Sequence, residues 1–131
     1  DPGVRVPVIM YHAVMDDASR LGKYVISPEE LESDFKWLSE NGYTAVLSED
    51  LINYTENGAA LPEKPILLTF DDGYYNNYLY AYPTAKRYGM KFVLSPIGKY
   101  AGQKPELCAL HVGYAAPNAV FRRGANCETH V

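Results

Sequence analysis

The stretch that decides the fold is Thr69–Tyr74, with the sequence TFDDGY, which directly follows the apolar run Ile66–Leu68. The apolar run predicts a buried strand, and two aspartates follow at its carboxyl end. Adjacent carboxylates repel each other, so a fold that holds both at one strand end normally offsets that cost with a cation or a shifted pKa. Gly73 permits the tight turn that orients them. Functional groups collect at this edge in open α/β sheets and α/β barrels, so we take Asp71 and Asp72 as the candidate site.

The aspartate pair also has a purely structural interpretation. An Asp side chain accepts hydrogen bonds from free backbone N–H groups, so a bare Asp-Asp-Gly is also typical of an Asx turn or of a helix N-cap. The preceding apolar run favours the functional interpretation, because it places the pair at the end of a core strand.

Four apolar runs predict strands: Val6–Tyr11, Tyr43–Leu47, Ile66–Phe70 and Lys91–Ser95. The first run is continuously apolar, which predicts a strand buried on both faces. Three helical patterns separate the runs: one starts at Ser27 and ends at Asn41, one runs from Ser48 to about Glu56, and one spans Tyr75–Tyr88 with an interruption at Pro83. Residues 13–25 are polar and predict a long loop over the strand ends.

Strands that alternate with helices predict an α/β fold with a parallel sheet and right-handed crossovers. The sheet belongs either to an open doubly wound fold or to part of an α/β barrel, since four strands are too few to close one. From residue 101 onward the pattern becomes irregular, so we divide the chain into a domain over residues 1–100 and a tail over residues 101–131.

Composition excludes several classes of function. The chain has 131 residues, is 47% hydrophobic and carries a formal net charge of -4, which indicates one globular domain and argues against nucleic-acid binding. No apolar run is long enough to span a bilayer. The twelve Tyr residues suit either sugar stacking or ordinary half-exposed positions. Cys108 and Cys127 fit one disulfide or two free thiols equally well.

The strand Val6–Tyr11 ends at His12, on the rim where ligands bind in parallel sheets. A single histidine there is either a site residue or a structural one. We expect His12, Tyr11 and Tyr74 to contact a substrate.

Taken together, the segments PVIMYH (7–12), TFDDGY (69–74) and the strand and loop over residues 89–98 resemble the polysaccharide deacetylases, the NodB-homology domain of carbohydrate esterase family 4. The helix around FKWL (35–38) resembles the exported branch that acts on partially acetylated poly-β-1,6-N-acetylglucosamine. The resemblance covers about residues 6–100. It implies a partial (β/α) deacetylase-type barrel, a polysaccharide substrate with N-acetylated amino sugars, and an extracytoplasmic or secreted location.

The resemblance also assigns roles to the aspartates. In that family the first aspartate of the motif is the general base, and the second binds a divalent metal, usually zinc, nickel or cobalt. The matching residues are Asp71 and Asp72. The family completes its metal site with a His-Ser/Thr-x-x-His segment that this sequence lacks, and His130, in NCETH (126–130), is the candidate additional ligand. His111 is a weaker match.

Three functions fit these observations. The first is a metal-dependent carbohydrate deacetylase. The second is a catalytically inactive deacetylase-like fragment or a carbohydrate-binding module, since the later strands of the family pattern are missing. The resulting uncovered sheet edge would favour a homodimer or a domain swap. The third is a Mg²⁺ site for phosphoryl transfer, which ranks last because no phosphate-binding glycine-rich loop is present.

Overall fold

The computed structural model describes residues 3–74 and 76–97, together with the backbone of residues 119–120. Its strands are β1 (Val8–Tyr11), β2 (Ala13–Val14), β3 (Val25–Ile26), β4 (Thr44–Val46), β5 (Pro65–Asp72), β6 (Phe92–Pro96) and β7 (Ala119–Val120). Its α-helices are α1 (Pro28–Glu40), α2 (Ser48–Asn57) and α3 (Tyr82–Tyr88). A 3₁₀ turn spans Ala18–Arg20, and a π-helical turn spans Asn77–Ala81.

Strand β5 is the centre of the main sheet. It pairs in parallel with β4 along its first half, with β1 from Leu67 to Phe70, and with β6 from Thr69 to Asp72. Strand β6 in turn pairs in parallel with β7. Because all these pairings are parallel, the carboxyl ends of β1, β5 and β6 point to the same edge of the sheet.

Helix α1 begins where the sequence predicts it. Ser27 is its N-cap, and the Ser27 hydroxyl oxygen accepts a hydrogen bond from the Glu30 N–H at 3.0 Å. Pro28 occupies the first helical position, where its missing N–H costs nothing. The helix buries Leu31, Phe35 and Leu38 against the sheet.

The core lies between the main sheet and the two helices α1 and α3. Phe70 is its aromatic centre: its ring stacks on Tyr11 at 4.9 Å and contacts Phe92 at 4.5 Å between centroids. Helices α1 and α3 are also joined at the surface, where both the Arg87 guanidinium and the Tyr88 hydroxyl donate to the Glu32 carboxylate. These contacts fix the helices that support β5 from one side.

The predicted α/β class and the order of its strands and helices are confirmed. Three details differ. The predicted loop contains the short parallel pair β2 and β3. The predicted third helix opens with a π-helical turn, because Pro83 has no N–H to donate to a carbonyl in the preceding turn. Strand β1 is not buried on both faces: Val8 and Met10 are 60% and 59% exposed, since no described segment packs over them.

Some predictions fall on residues outside this description. Cys108, Cys127, His111 and His130 lie outside the described residues, and the division at residue 100 stays a prediction. Within the described ranges, no helix has the length and apolar character needed to cross a membrane.

Candidate active site

Sheet register brings the predicted site residues to one edge. Tyr11 is opposite Phe70, so His12 and Asp71 are the next residues of their strands at the carboxyl edge. Asp71 in turn is opposite Ser95 of β6. Residues far apart in the sequence therefore meet at the rim that the TFDDGY stretch predicts.

The two aspartates have different backbone conformations. Both side chains are half-buried, and Asp71 lies in the extended strand. Asp72 has φ +72°, and Gly73 follows with φ +73°. A left-handed conformation at a residue other than glycine costs on the order of 1 kcal/mol and is concentrated at functional sites.

His12 is the imidazole beside this pair. Its Nε2 lies 3.9 Å from the Asp72 Oδ2. The Tyr24 ring packs edge-on against the imidazole, at 4.9 Å between centroids. The side chain is 16% exposed, so it is mostly enclosed while still reaching the rim. This arrangement places an imidazole next to a carboxylate.

The two tyrosines occupy different environments. Tyr11 is in the core, 7% exposed, and its hydroxyl donates to Asp34 Oδ2 at 2.9 Å. Burial, together with the Asp34 carboxylate, raises the pKa of the Tyr11 hydroxyl above its ordinary value. Tyr74 is half-buried in the turn after β5, where its backbone carbonyl accepts the Asn77 N–H at 2.9 Å. The geometry favours a packing role for Tyr11 and leaves Tyr74 at the rim.

The donors on this edge fit a transition metal by chemical type. Asp72 offers a carboxylate oxygen and His12 an imidazole nitrogen, and zinc sites commonly use both kinds of donor. No group of three His, Cys, Asp or Glu side chains suited to a metal ion occurs among the described residues. A third protein ligand would have to come from elsewhere in the chain, and His130 lies outside the described residues.

Two asparagines that the sequence analysis does not identify as site residues form hydrogen bonds to the backbone at and next to His12. The Asn77 side-chain amide donates to the His12 carbonyl oxygen at 2.8 Å, and Asn76 Oδ1 accepts the Val14 N–H at 3.0 Å. These contacts join segments 62 and 65 residues apart in sequence, so no local pattern predicts them.

Comparison with known proteins shows which family this chain resembles. A family model described as polysaccharide deacetylase matches residues 58–113. The Bacillus subtilis (strain 168) protein YxkH, whose name describes it as a polysaccharide deacetylase, is 37% identical over 126 residues, which are 96% of this chain and 42% of YxkH. Over the matched residues the chain is similar to polysaccharide deacetylases. This confirms the resemblance that the sequence motifs indicate.

Two further deacetylases refine the comparison. The Escherichia coli (strain K12) poly-β-1,6-N-acetyl-D-glucosamine N-deacetylase is 34% identical over 92 residues, covering 70% of this chain and 14% of that protein. The solved structure of a de-N-acetylase from Aggregatibacter actinomycetemcomitans superposes with a TM-score of 0.68 at 31% identity, over 86% of this chain and 45% of that one. The chain thus spans less than half the length of these relatives, and its α/β fold is part of a deacetylase fold.

Proposed function

We propose that this chain carries the catalytic edge of a deacetylase that hydrolyses N-acetyl groups of an amino-sugar polysaccharide. The observation that carries the proposal is the meeting of Asp71, Asp72 and His12 at one edge of a sheet of the polysaccharide deacetylase family. The name of the Escherichia coli relative supports a β-linked N-acetylglucosamine polymer as the substrate class. The family resemblance implies an exported enzyme, so we propose an extracytoplasmic location.

The two aspartates take different roles in this proposal. Asp71, on the extended strand, is the general base that removes a proton from the attacking water. Asp72 holds a divalent metal such as zinc, nickel or cobalt, with His130 as a second ligand. When bound, the metal would lower the pKa of a water and polarise the acetyl carbonyl. The different backbone conformations support this division, because Asp71 is extended whereas Asp72 has a φ of +72°.

His12 and Tyr74 act on the substrate side. Hydrolysis adds the water oxygen to the acetyl carbon, breaks the bond from carbon to nitrogen, and transfers a proton to the departing amine. Among the described residues at this edge, His12 carries an imidazole, a group that can accept and release a proton, so we assign that proton transfer to it. The products are acetate and a free amino sugar. Tyr74 offers a ring for stacking on a sugar face.

A second function is favoured by one observation. Among the described residues this proposal assigns one metal ligand, Asp72, because His12 is assigned to proton transfer, whereas zinc enzymes generally use three protein ligands. A module that binds the polysaccharide without hydrolysing it therefore remains the alternative proposal. In that case the exposed apolar face of β1, with Val8 and Met10, would suit pairing between two copies of the chain.

One experiment separates these functions. The purified chain is incubated with a β-1,6-linked N-acetylglucosamine oligomer, with Zn²⁺, with Co²⁺ or with a chelator, and released acetate is measured. Zinc titration by calorimetry and molar mass by light scattering are recorded on the same samples. Metal-dependent acetate release supports the enzyme. Oligomer binding without acetate release, in any oligomeric state, supports the binding module and contradicts hydrolysis.

A further inference from the structure

The segment His12–Val14 lies between two sheets, because β1 ends at Tyr11 and β2 begins at Ala13. On one side it is held by β3: the Ala13 N–H donates to Tyr24 O, and the Met15 N–H donates to Ile26 O, both at 3.0 Å. The alternate groups of an extended segment face the other way. There the His12 carbonyl and the Val14 N–H need partners from another part of the chain.

Asn76 and Asn77 supply those partners. The Asn77 side-chain amide donates to the His12 carbonyl at 2.8 Å, and Asn76 Oδ1 accepts the Val14 N–H at 3.0 Å. Both asparagines follow the Asp72–Tyr74 turn within five residues, and the Asn77 N–H donates to Tyr74 O. The segment that presents Asp72 is therefore the same one that grips the backbone of His12.

Stability alone does not explain Asn77. Its side chain is 0% exposed, and its Oδ1 has no hydrogen-bond partner in the described part of the chain. A buried acceptor without a partner costs free energy that an apolar side chain of similar shape would avoid. Asn77 also opens the π-helical turn, a feature that often occurs at functional sites.

We propose that Asn77, assisted by Asn76, is a positioning residue that fixes the His12 backbone and thereby sets the imidazole beside Asp72. The inference rests on the proposed deacetylase function, because that function assigns the proton transfer to His12. In this proposal the asparagines act through His12, without contacting substrate or metal. Their effect passes through the 3.9 Å approach of His12 Nε2 to Asp72 Oδ2.

The test compares two substitutions that remove similar hydrogen bonds. Asn77→Leu keeps the side-chain size and removes the donor to His12. The control, Thr84→Val, removes a side-chain hydroxyl that donates to the Tyr80 carbonyl, also at 2.8 Å, in the adjoining helix α3. Thr84 is 7% exposed, so both changes are made in buried surroundings. Of these two side chains, that of Asn77 is the one that donates to the His12 carbonyl.

We expect Asn77→Leu to lower kcat about tenfold or more with KM within about twofold, because catalytic geometry tolerates little displacement. Thr84→Val should keep kcat within about twofold of the unsubstituted chain, since its lost bond lies outside the site. In a His12→Ala background, Asn77→Leu should cause no additional loss, since residues that act through one another are not additive. Equal kcat values for Asn77→Leu and Thr84→Val would overturn the proposal. So would a loss of kcat on adding Asn77→Leu to His12→Ala that is as large as the loss in the unsubstituted background.

A second readout is independent of activity. Amide hydrogen exchange by NMR should be about tenfold faster at Val14 in Asn77→Leu than in Thr84→Val, because the His12–Val14 segment has lost one of its two hydrogen bonds to the asparagines. If the unsubstituted chain releases no acetate, the proposed function fails. Hydrogen exchange alone then tests whether the asparagines hold the His12–Val14 segment, and an unchanged exchange rate at Val14 would refute that role. If Asn77→Leu does not fold, Asn76→Ala, at a half-buried position, is used, with the same directions expected.

Discussion

The two ends of strand β5 have opposite characters. At the amino end, Pro65 and Ile66 are buried and pair with β4 in an ordinary parallel ladder. At the carboxyl end, Asp71 and Asp72 are half-buried, and Asp72 has a left-handed backbone. One end contributes stability through apolar burial, whereas the other holds repelling charges in a strained geometry. The contrast fits the proposed function, in which the amino end serves packing and the carboxyl end serves chemistry.

The largest expected effect is at the carboxyl end. Asp71→Asn removes the proposed base and should lower acetate release by about 10³-fold, within the range for loss of acid–base catalysis. Asp72→Asn should lower it comparably, and should also weaken zinc binding by about tenfold or more because a charged ligand is lost. Asp71→Asn should leave zinc affinity within about threefold. Calorimetric titration of both variants checks this, and equal loss of metal would contradict the division of roles.

A substitution at the amino end should change stability instead. Ile66 is 1% exposed, so Ile66→Ala should lower the free energy of unfolding by about 2–4 kcal/mol through lost burial and a residual cavity. Urea unfolding followed by circular dichroism measures this. Acetate release per folded molecule should stay unchanged. A large loss of activity in fully folded Ile66→Ala would break the distinction between the two ends.

The backbone of Asp72 allows a test in which stability and activity move in opposite directions. Glycine adopts a φ of +72° without strain, so Asp72→Gly should raise the free energy of unfolding by about 1 kcal/mol while abolishing activity. The matched control is Asp71→Gly. Because Asp71 is extended, glycine there should lower stability by about 1 kcal/mol. Thermal and urea unfolding of both variants decide the point, and a loss of stability in Asp72→Gly would argue against stored strain.

On the neighbouring strand β1, Tyr11 lies in the core, and the next residue, His12, lies at the carboxyl edge. Tyr11→Phe removes the hydrogen bond from the hydroxyl to Asp34 and should lower stability by about 1 kcal/mol. Acetate release should be retained, because the ring stays in the core. A raised KM for the oligomer at unchanged stability would instead support the substrate contact that the sequence predicts for Tyr11.

The sequence predicts the frame of this fold because its signals are local. Helix α1 follows from Ser27 and Pro28 with apolar residues at helical spacing, and β5 follows from its apolar run. The aspartates follow from the same stretch and from its family resemblance. Strands β2 and β3 were not predicted, since two residues each are too few to show a period. The contact of Asn77 with His12 was not predicted either, because it joins residues 65 positions apart whose types suit many other surroundings.

The smallest expected effect lies away from β5, where Glu32 joins helix α1 to α3. The Tyr88 hydroxyl, followed by the Arg87 guanidinium, lowers the pKa of the Glu32 carboxyl below its ordinary value of 4.5. A depressed folded-state pKa means that ionised Glu32 stabilises the fold above pH 4.5, and that this contribution disappears as the pH falls below that value. Glu32→Gln should therefore unfold at slightly lower urea than the unsubstituted chain at pH 7, and the difference should shrink as the pH falls below 4.5. Because the group is exposed, added salt should reduce the difference at pH 7. A difference that persists at low pH would show that the side chain acts through packing, and that its charge is not the cause.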